Sequence, residues 1–436
     1  MLELQNYVES LFEKVQTWRR DFHHYAESGW VEFRTATIVA EELDRLGYSL
    51  KLGKEVICSD ARMGVPAREI LRQHELRAIE QGAVARWLPH FSGGYCGIVA
   101  TLATGRPGRV MAFRVDMDAL DLPESHADDH LPFRENFASC NQGMMHACGH
   151  DGHTAVGLGL AHTLKYFQSH LRGTIKLIFQ PAEEGVRGAK SMVEAGVVDD
   201  VDYFTAIHLG TGVPAGEIVC GLNSFLATTK FDVNFTGLAA HAGSCPEQGK
   251  NALLAAIQAT QGLHQLVQHS AGIARVNVGV LRAGSGRNIV PDHALIQVET
   301  RGETNEVNDM IFAAAVRVIS GAAQMYDVAY DLQLMGAARC ATPSMQWVSN
   351  ISRIASEMGI FDSVVNHKPE SVGSEDAIYM LERVIHQGGQ ASYIVFGCDL
   401  AAGHHNGKFD FDEKVLSSAI HVLSRMVLDK SLATSY

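Results

Sequence analysis

The chain has 436 residues, of which 46% are hydrophobic and 19% charged, and its formal net charge is −13. This length exceeds what one hydrophobic core usually fills, so we expect two domains. The negative charge argues against nucleic acid or an anionic membrane as a partner. The sequence shows neither a basic-then-apolar leader nor an apolar run of the ~20 residues that a membrane span needs. We therefore expect a cytoplasmic protein.

The N-terminal region predicts helices. Apolar residues recur at helical spacing over about residues 7–25, and a second helix is expected over 35–46, ended by Gly47. Residues 54–93 depart from this pattern, with a charged helical stretch expected from Pro66 to about residue 87. We interpret this segment as an insertion or a helical excursion.

Short apolar runs with the length and composition of buried strands follow. They cover residues 97–102, 110–115, 174–179, 203–207 and 391–396, and helical patterns such as 154–167 lie between them. Strands that alternate with helices are typical of an α/β fold with a mainly parallel sheet.

The middle of the chain has a different pattern. Residues 230–236 and 294–300 alternate polar and apolar side chains, as in an antiparallel sheet with one wet face. Long helical stretches accompany them at about 251–268 and 306–324. We therefore predict an α+β domain over 222–337, inserted into an α/β domain formed by residues 1–221 and 338–436.

The densest group of possible metal ligands lies at residues 145–153. Within nine residues it holds three histidines, a cysteine and an aspartate, namely His146, Cys148, His150, Asp151 and His153. Imidazole and thiolate groups are typical ligands of zinc and related metals, so the cluster predicts a metal site.

Acids and histidines also follow the predicted strands. Asp116 and Asp118 follow strand 110–115, Glu183 and Glu184 follow strand 174–179, His208 follows strand 203–207, and His404 and His405 come after the last strand. Helix capping explains most such residues singly. Together, at the carboxyl ends of one sheet, they predict a convergent metal site.

Adjacent glutamates suit metal-assisted hydrolysis, because one carboxylate can hold the metal while the other takes a proton from water. We expect Glu183 and Glu184 to point in different directions from an extended turn. The plain alternative is a solvated acidic turn.

Several motifs carry a family resemblance. They are residues 146–153 (HACGHDGH), 180–185 (QPAEEG), 240–243 (AHAG) and 374–376 (SED). In this order, over nearly the whole chain, they resemble the M20 metallopeptidases, in the branch that contains amidohydrolases. The resemblance implies a metallopeptidase-type catalytic domain with an inserted dimerisation or lid domain.

The resemblance also implies roles for individual residues. The metal ligands would be Cys148, His150, Glu184, His208 and His405, with His404 as the alternative to His405. Glu183 would be the general base, and Asp116 the acid that orients a ligand. Two metals per chain are implied, manganese first, with zinc or cobalt possible. A soft cysteine ligand alone favours zinc.

Three residues of the inserted domain match substrate-contacting positions. The resemblance implies that His241 stabilises the oxyanion in the partner subunit's site, while Asn288 and Arg301 bind substrate, Arg301 through its carboxylate. Their plain interpretations are a turn histidine, a turn asparagine and a surface arginine. The resemblance implies that Glu375 and Asp376 lie near the site, but we expect them in the first turn of a helix capped by Ser374.

The activity implied is metal-dependent hydrolysis of an N-acyl amino acid, with p-aminobenzoyl-glutamate cleaved to p-aminobenzoate and glutamate. One alternative is an amidohydrolase of broader N-acyl amino acid or dipeptide range. Another is a metal-binding subunit that is active only with a homologous partner. A homodimer and a heterodimer are equally compatible with the sequence.

Overall fold

The computed structural model describes residues 2–368, 373–430 and 432. The chain divides into two compact units. The first comprises Met1–Asn223, Ala341–Ser371 and Asp376–Tyr436, and the second comprises Ser224–Cys340 and Val372–Glu375. The predicted domain boundaries lay at 221/222 and 337/338.

The strands, in chain order, are β1 (Ser49–Leu52), β2 (Ile98–Ala103), β3 (Val110–Asp116), β4 (Thr174–Gln180), β5 (Tyr203–Leu209), β6 (Glu217–Val219), β7 (Ala227–Thr236), β8 (Ala274–Ala283), β9 (His293–Gly302), β10 (Ala329–Ala338), β11 (Ser363–Val365) and β12 (Gln390–Phe396).

The α-helices are α1 (Leu2–Ser10), α2 (Phe12–His24), α3 (Phe33–Arg45), α4 (Arg68–Glu80), α5 (Leu88–Phe91), α6 (Leu131–Arg134), α7 (His150–Tyr166), α8 (Ala189–Glu194), α9 (Ala252–Leu263), α10 (Asn305–Met325), α11 (Met345–Met358), α12 (Ile378–His386) and α13 (Val415–Leu428). Among these described helices, none is both long and apolar enough to cross a bilayer.

The described strands of the first unit form one mixed sheet in the order β1-β2-β4-β3-β5-β12-β6-β11. Its centre, β4-β3-β5-β12, is parallel, which confirms the predicted mainly parallel α/β sheet. The chain runs from β3 to β4 on one side and then to β5 on the other. Such a switch point leaves a crevice at the carboxyl ends of the strands.

The central strands and the helix between them form the core of this unit. All but the first residue of β3 and β5 are buried, as are fourteen of the seventeen residues of α7. Strands with both faces covered read as continuous apolar runs, which is why they could be located from the sequence.

Two N-terminal predictions need correction. The single helix expected over 7–25 is two helices, because the Leu11 N–H bonds to the Val8 carbonyl three residues back and interrupts the α-helical ladder. The helix expected over 66–87 is α4, which ends at Glu80. Gly82, at φ 91°, turns the chain away from the helix.

The second unit is an antiparallel sheet in the order β10-β7-β9-β8, as the alternating pattern predicts. Helices α9 and α10 pack on it, and Phe231, Val233, Phe235, Ile296 and Ile311 lie in its core.

Candidate metal centre and active site

The candidate site lies at the edge of the sheet where three neighbouring parallel strands end. β3 ends at Asp116, β4 ends immediately before the loop that holds Glu183 and Glu184, and β5 carries His208 as its penultimate residue. The strand thus runs two residues past its predicted end. The parallel register brings side chains distant in sequence together.

The cluster at 145–153 enters the site at the start of α7. Gly149 has φ 92°, a left-handed conformation that L side chains rarely adopt, and the helix begins at the next residue, His150. His150, Asp151 and His153 therefore share the first turn of a buried helix, while Cys148 lies just before it.

His150 is held in one tautomer. Its Nδ1 donates to the backbone carbonyl of Asp118 at 2.9 Å, and its buried Nε2 has no hydrogen-bond partner among the described residues. Nε2 lies 3.9 Å from Oε2 of Glu183. Burial acts to lower the pKa of His150, but Asp116, Cys148 and Asp118 together outweigh it and raise that pKa well above its ordinary value. A metal cation bound to His150 in place of that proton would be stabilised by the same electrostatic field.

His208 and Cys148 face each other across the site. The Nδ1 of His208 donates to the Leu209 carbonyl at 2.8 Å, and Nε2 lies 3.5 Å from the Cys148 Sγ. Burial, and then the neighbouring His153, lower the pKa of His208, so its ring is neutral. Burial, and then Glu184, raise the pKa of the Cys148 thiol well above its ordinary value. A cation would be needed to stabilise its thiolate.

The loop that carries Glu183 and Glu184 is not an extended turn as predicted. Ala182 has φ 53° and Val186 has φ 61°, and the Val186 N–H bonds to the Glu183 carbonyl at 2.6 Å. For a β-branched residue such as Val186 this conformation is a true outlier, and outliers of this kind concentrate at functional sites.

Asp118 fixes both glutamates at the backbone. Its Oδ1 accepts from the Glu183 N–H at 3.0 Å, and its Oδ2 accepts from the Glu184 N–H at 2.8 Å. The sequence pattern indicates only that Asp118 follows the strand, and it predicts no role for this residue. Its position two residues after Asp116 was the only available sign.

Asp116 contacts a different histidine. Its Oδ1 lies 2.6 Å from the His153 Nδ1, and its Oδ2 accepts from Arg114 Nη1 at 2.6 Å. His153 Nε2 in turn accepts from the Leu209 N–H at 3.0 Å. Both nitrogens of His153 are therefore engaged, which places this histidine behind the site and leaves it no lone pair for a metal.

His404 and His405 differ in their partners. His404 Nε2 accepts from the Thr211 N–H at 2.9 Å, and burial lowers the pKa of this ring to about 4. A neutral ring that accepts at Nε2 carries its proton on Nδ1. The His405 Nε2 lies 3.5 Å from Oε1 of Glu184, and its side chain is 56% exposed.

These side chains form overlapping groups whose ligand atoms lie within 4.8 Å of one another: Cys148, His208 and His404; Cys148, Glu184 and His405; and His150, Glu183 and Glu184. Within the described part of the chain, the Glu184 Oε1, like the His150 Nε2, is buried without a hydrogen-bond partner. Buried polar atoms are rarely left unpaired. The donor set therefore fits divalent cations of the zinc and manganese type.

A buried ionic cluster holds the first turn of α7 from behind. Arg19 Nε lies 2.9 Å from Asp151 Oδ2, and His23 Nδ1 lies 2.8 Å from the same oxygen. The other ring nitrogen of His23 lies 3.0 Å from Glu124. Burial acts against its charge, but the hydrogen bond to Asp151 and then that to Glu124 raise the pKa of His23 to about 9.

Asp376 does not lie in the first turn of a helix, so that interpretation is wrong. Helix α12 begins at Ile378, and Asp376 Oδ2 instead accepts from the N–H groups of Gly188 and Ala189 at 2.9 and 2.8 Å. It thus caps α8. Its Oδ1 accepts from Gln180 Nε2 at 2.8 Å.

The remaining predicted residues lie in the second unit. The Nδ1 of His241 accepts from the N–H groups of Gly243 and Ser244, both at 3.1 Å, so a neutral ring carries its proton on Nε2. Asn288 lies beside it, because its carbonyl accepts from the Ala242 N–H at 3.0 Å. Both side chains are exposed. Arg301 is half-buried in β9, with Nε and Nη2 each 3.2 Å from an oxygen of Glu299.

The chain is similar to known hydrolases in both sequence and structure. Residues 112–429 match the family described as Peptidase family M20/M25/M40. The chain is 61% identical to a subunit of p-aminobenzoyl-glutamate hydrolase from Escherichia coli and 58% identical to indole-3-acetyl-aspartic acid hydrolase of Enterobacter agglomerans, each alignment covering 98% of both chains. The crystal structure of an aminobenzoyl-glutamate utilization protein from Klebsiella pneumoniae superposes with a TM-score of 0.86, at 52% identity and 98% coverage of both chains.

Proposed function

The chain belongs to peptidase family M20/M25/M40 and is an amide-bond hydrolase, and on that premise we propose that it cleaves p-aminobenzoyl-glutamate to p-aminobenzoate and glutamate with the help of divalent metal. One observation carries the proposal. Ligand atoms and a second carboxylate, that of Glu183, converge at the carboxyl ends of parallel strands.

The ligands would be Cys148, His150, Glu184, His208 and His405. His405 is favoured over His404, because the backbone bond to Nε2 of His404 leaves the proton on its Nδ1. The candidate groups share Cys148 and Glu184, and we propose that the set holds two cations. When bound, such metals lower the pKa of a water and polarise an amide carbonyl. We propose manganese, with zinc or cobalt as alternatives.

Glu183 is the proposed general base. Its side chain faces His150, with Oε2 3.9 Å from the Nε2 of that histidine, so its carboxylate is within reach of a water at the site. Glu183 would take the proton from the attacking water and return it to the leaving nitrogen. Asp116 would orient a ligand, since its Oδ1 lies 2.6 Å from the His153 Nδ1 and its Oδ2 lies 3.8 Å from the His150 Nε2. Asp118 would share this role through its contacts with His150 and both glutamates.

His241 would act in the partner subunit's site, where it would donate its Nε2–H to the oxyanion of the tetrahedral intermediate. The two backbone N–H groups that bind its Nδ1 preorganise that donor. Asn288 lies next to it and would bind substrate. Arg301 would bind the free carboxylate of the substrate through its planar fork of donors, and that carboxylate would compete with Glu299 for it.

The names of the two relatives narrow the substrate class. One is a hydrolase of p-aminobenzoyl-glutamate and the other of indole-3-acetyl-aspartate. Both compounds join an aromatic acyl group to an amino acid with a second carboxylate. A hydrolase of indole-3-acetyl-aspartate is therefore the second candidate function, supported by 58% identity.

The first relative is named as one subunit of its enzyme, so association with a homologous chain is part of the proposal, with a homodimer as the alternative. The cytoplasm remains our proposed location. The location does not enter the chemistry of the site. A partner chain does, because His241 would act in the partner subunit's site.

The test is hydrolysis by the chain expressed alone. p-Aminobenzoyl-glutamate, indole-3-acetyl-aspartate and hippurate are assayed with and without a chelator, followed by re-addition of Mn²⁺, Zn²⁺ or Co²⁺. We expect chelator-sensitive release of p-aminobenzoate that returns with metal. Metal binding without cleavage of any substrate would favour the hypothesis of a subunit that is active only with a partner. Faster cleavage of indole-3-acetyl-aspartate than of p-aminobenzoyl-glutamate would favour the second candidate function.

A further inference from the structure

The loop at Pro181–Gly188 adopts a conformation that its own sequence disfavours. Ala182, directly before Glu183, has φ 53°, and Val186 has φ 61°. A left-handed conformation is unfavourable for a non-glycine residue, because Cβ comes too close to the following carbonyl oxygen. Contacts from outside the loop must therefore hold it, and those contacts set the direction in which Glu183 and Glu184 project.

Buried carboxyl groups bind three successive N–H groups of this loop. Asp118 accepts those of Glu183 and Glu184, as described above. The N–H of Ala182 donates to Oε1 of Glu32 at 2.8 Å. Glu32 is fully buried at the N-terminal end of α3, some 150 residues away in sequence. It touches the loop at the left-handed residue that precedes the proposed base.

The environment of Glu32 favours its neutral form. Burial, and then the Asp118 carboxylate, raise the pKa of Glu32 to about 8, with Glu27 acting in the same direction. The buried Cys96 thiol also faces it. A neutral carboxyl still accepts a hydrogen bond through its carbonyl oxygen. Glutamine reproduces that oxygen with nearly the same shape.

We infer that Glu32 is a positioning residue of the active site, which fixes Ala182 and thereby aims the carboxylates of Glu183 and Glu184. Glu32 acts through the backbone of Ala182, and the inference rests on the proposed roles of the two glutamates. Glu32 then has no part in proton transfer. The site requires Glu32 to place a hydrogen-bond acceptor at the N–H of Ala182.

Glu27 provides a matched control. It is also fully buried just before α3, and it accepts two backbone N–H groups, from Arg34 at 3.1 Å and Thr35 at 2.9 Å. Its backbone partners lie in α3 and its ion-pair partner Arg77 lies in α4, so none of these contacts is to the glutamate loop. Replacing Glu27 thus removes a buried acceptor of the same kind and disturbs α3 instead of the active site.

The experiment compares Glu32→Leu, Glu32→Asp, Glu32→Gln and Glu27→Leu in the full chain. Leucine removes the acceptor and fills the space, aspartate withdraws the acceptor by one methylene, and glutamine restores it. The readouts are kcat and KM for p-aminobenzoyl-glutamate and the Kd for Mn²⁺ measured by competition with a chromophoric chelator. Thermal unfolding confirms that each variant is folded, and Glu32→Asp serves if Glu32→Leu is not.

We expect Glu32→Leu and Glu32→Asp to lose about 10–100-fold in kcat and in metal affinity, with KM changed much less, as for groups that orient a ligand from behind. Glu32→Gln should restore both, and Glu27→Leu should keep both despite a similar loss of thermal stability. The inference is overturned if Glu32→Leu keeps the wild-type kcat and Kd, if glutamine fails to rescue, or if Glu27→Leu loses as much. The Kd needs no substrate, so it tests Glu32 even if the proposed hydrolysis is absent.

Discussion

The Nδ1 of His153 lies 2.6 Å from Oδ1 of Asp116, with both side chains fully buried. The same ring accepts the Leu209 N–H at its other nitrogen. His153 therefore packs behind the site and does not bind the metal, although it lies in the sequence cluster that predicted a metal site.

We predict that His153→Ala keeps the full number of bound metals and weakens their affinity by about 10–100-fold, because it removes only an orienting contact. His208→Ala should lose a metal, because its neutral Nε2 faces Cys148. Metal content after dialysis and the competition Kd distinguish the two variants. A lost metal in His153→Ala would show that His153 is itself a ligand.

Cys148→Ser tests the thiolate. Its thiol has a raised pKa without metal, so metal binding must release a proton, and affinity should increase with pH. The cobalt-substituted wild type should show a thiolate-to-metal absorption band that Cys148→Ser lacks. If the band persists in the serine variant, another cysteine supplies it and Cys148 is not the ligand.

His404→Ala and His405→Ala separate the two candidates for the last ligand. Since His404 Nε2 is bound to the Thr211 N–H, we expect His405→Ala to cause the larger loss of metal affinity, by at least about tenfold more than His404→Ala. Isothermal titration with Mn²⁺ measures both. The reverse order would assign the site to His404.

His23 should make the stability of the first unit depend on pH. The folded pKa, about 9, lies above the ordinary value of 6.5. The folded state thus holds a proton that the unfolded state has released, and the stabilisation is complete below pH 6.5 and lost as the pH rises through about 9. We predict that the urea midpoint of the metal-free protein falls over this range and that His23→Asn flattens the fall.

The neighbouring His24 is the control, because its ring bonds to the backbone carbonyl of Ala138 and not to a carboxylate within the described part of the chain. His24→Asn should keep the wild-type pH dependence. An unchanged slope in His23→Asn would assign the dependence to another group.

The sequence predicted the central strands and the position of the metal cluster because both leave local signs. Buried parallel strands are continuous apolar runs, and polar residues directly after them stand out. The roles of Asp118, Asp376 and Glu32 could not be predicted. Each binds backbone N–H groups that lie 65, 188 and 150 residues away, and backbone acceptance leaves no pattern in either segment.

The left-handed conformation of Ala182 and Val186 was missed for a related reason. Neither residue favours it, and buried carboxyl groups distant in sequence bind the N–H groups of residues 182–184. The expectation of an extended turn followed from local propensity, which tertiary contacts override here. Likewise, the sequence could not show that Arg301 already pairs with Glu299.

The Glu183→Gln variant decides whether Glu183 is the base of a metal-dependent amide hydrolysis. The variant, the wild type and the exposed-surface control Glu194→Gln are loaded with Mn²⁺, and metal content and release of p-aminobenzoate are measured on the same samples. We predict that Glu183→Gln binds as much metal as the wild type and loses about 10²–10⁴-fold in kcat, while the control loses nothing. If the metal-loaded Glu183→Gln variant turns over at the wild-type rate, Glu183 is not the base.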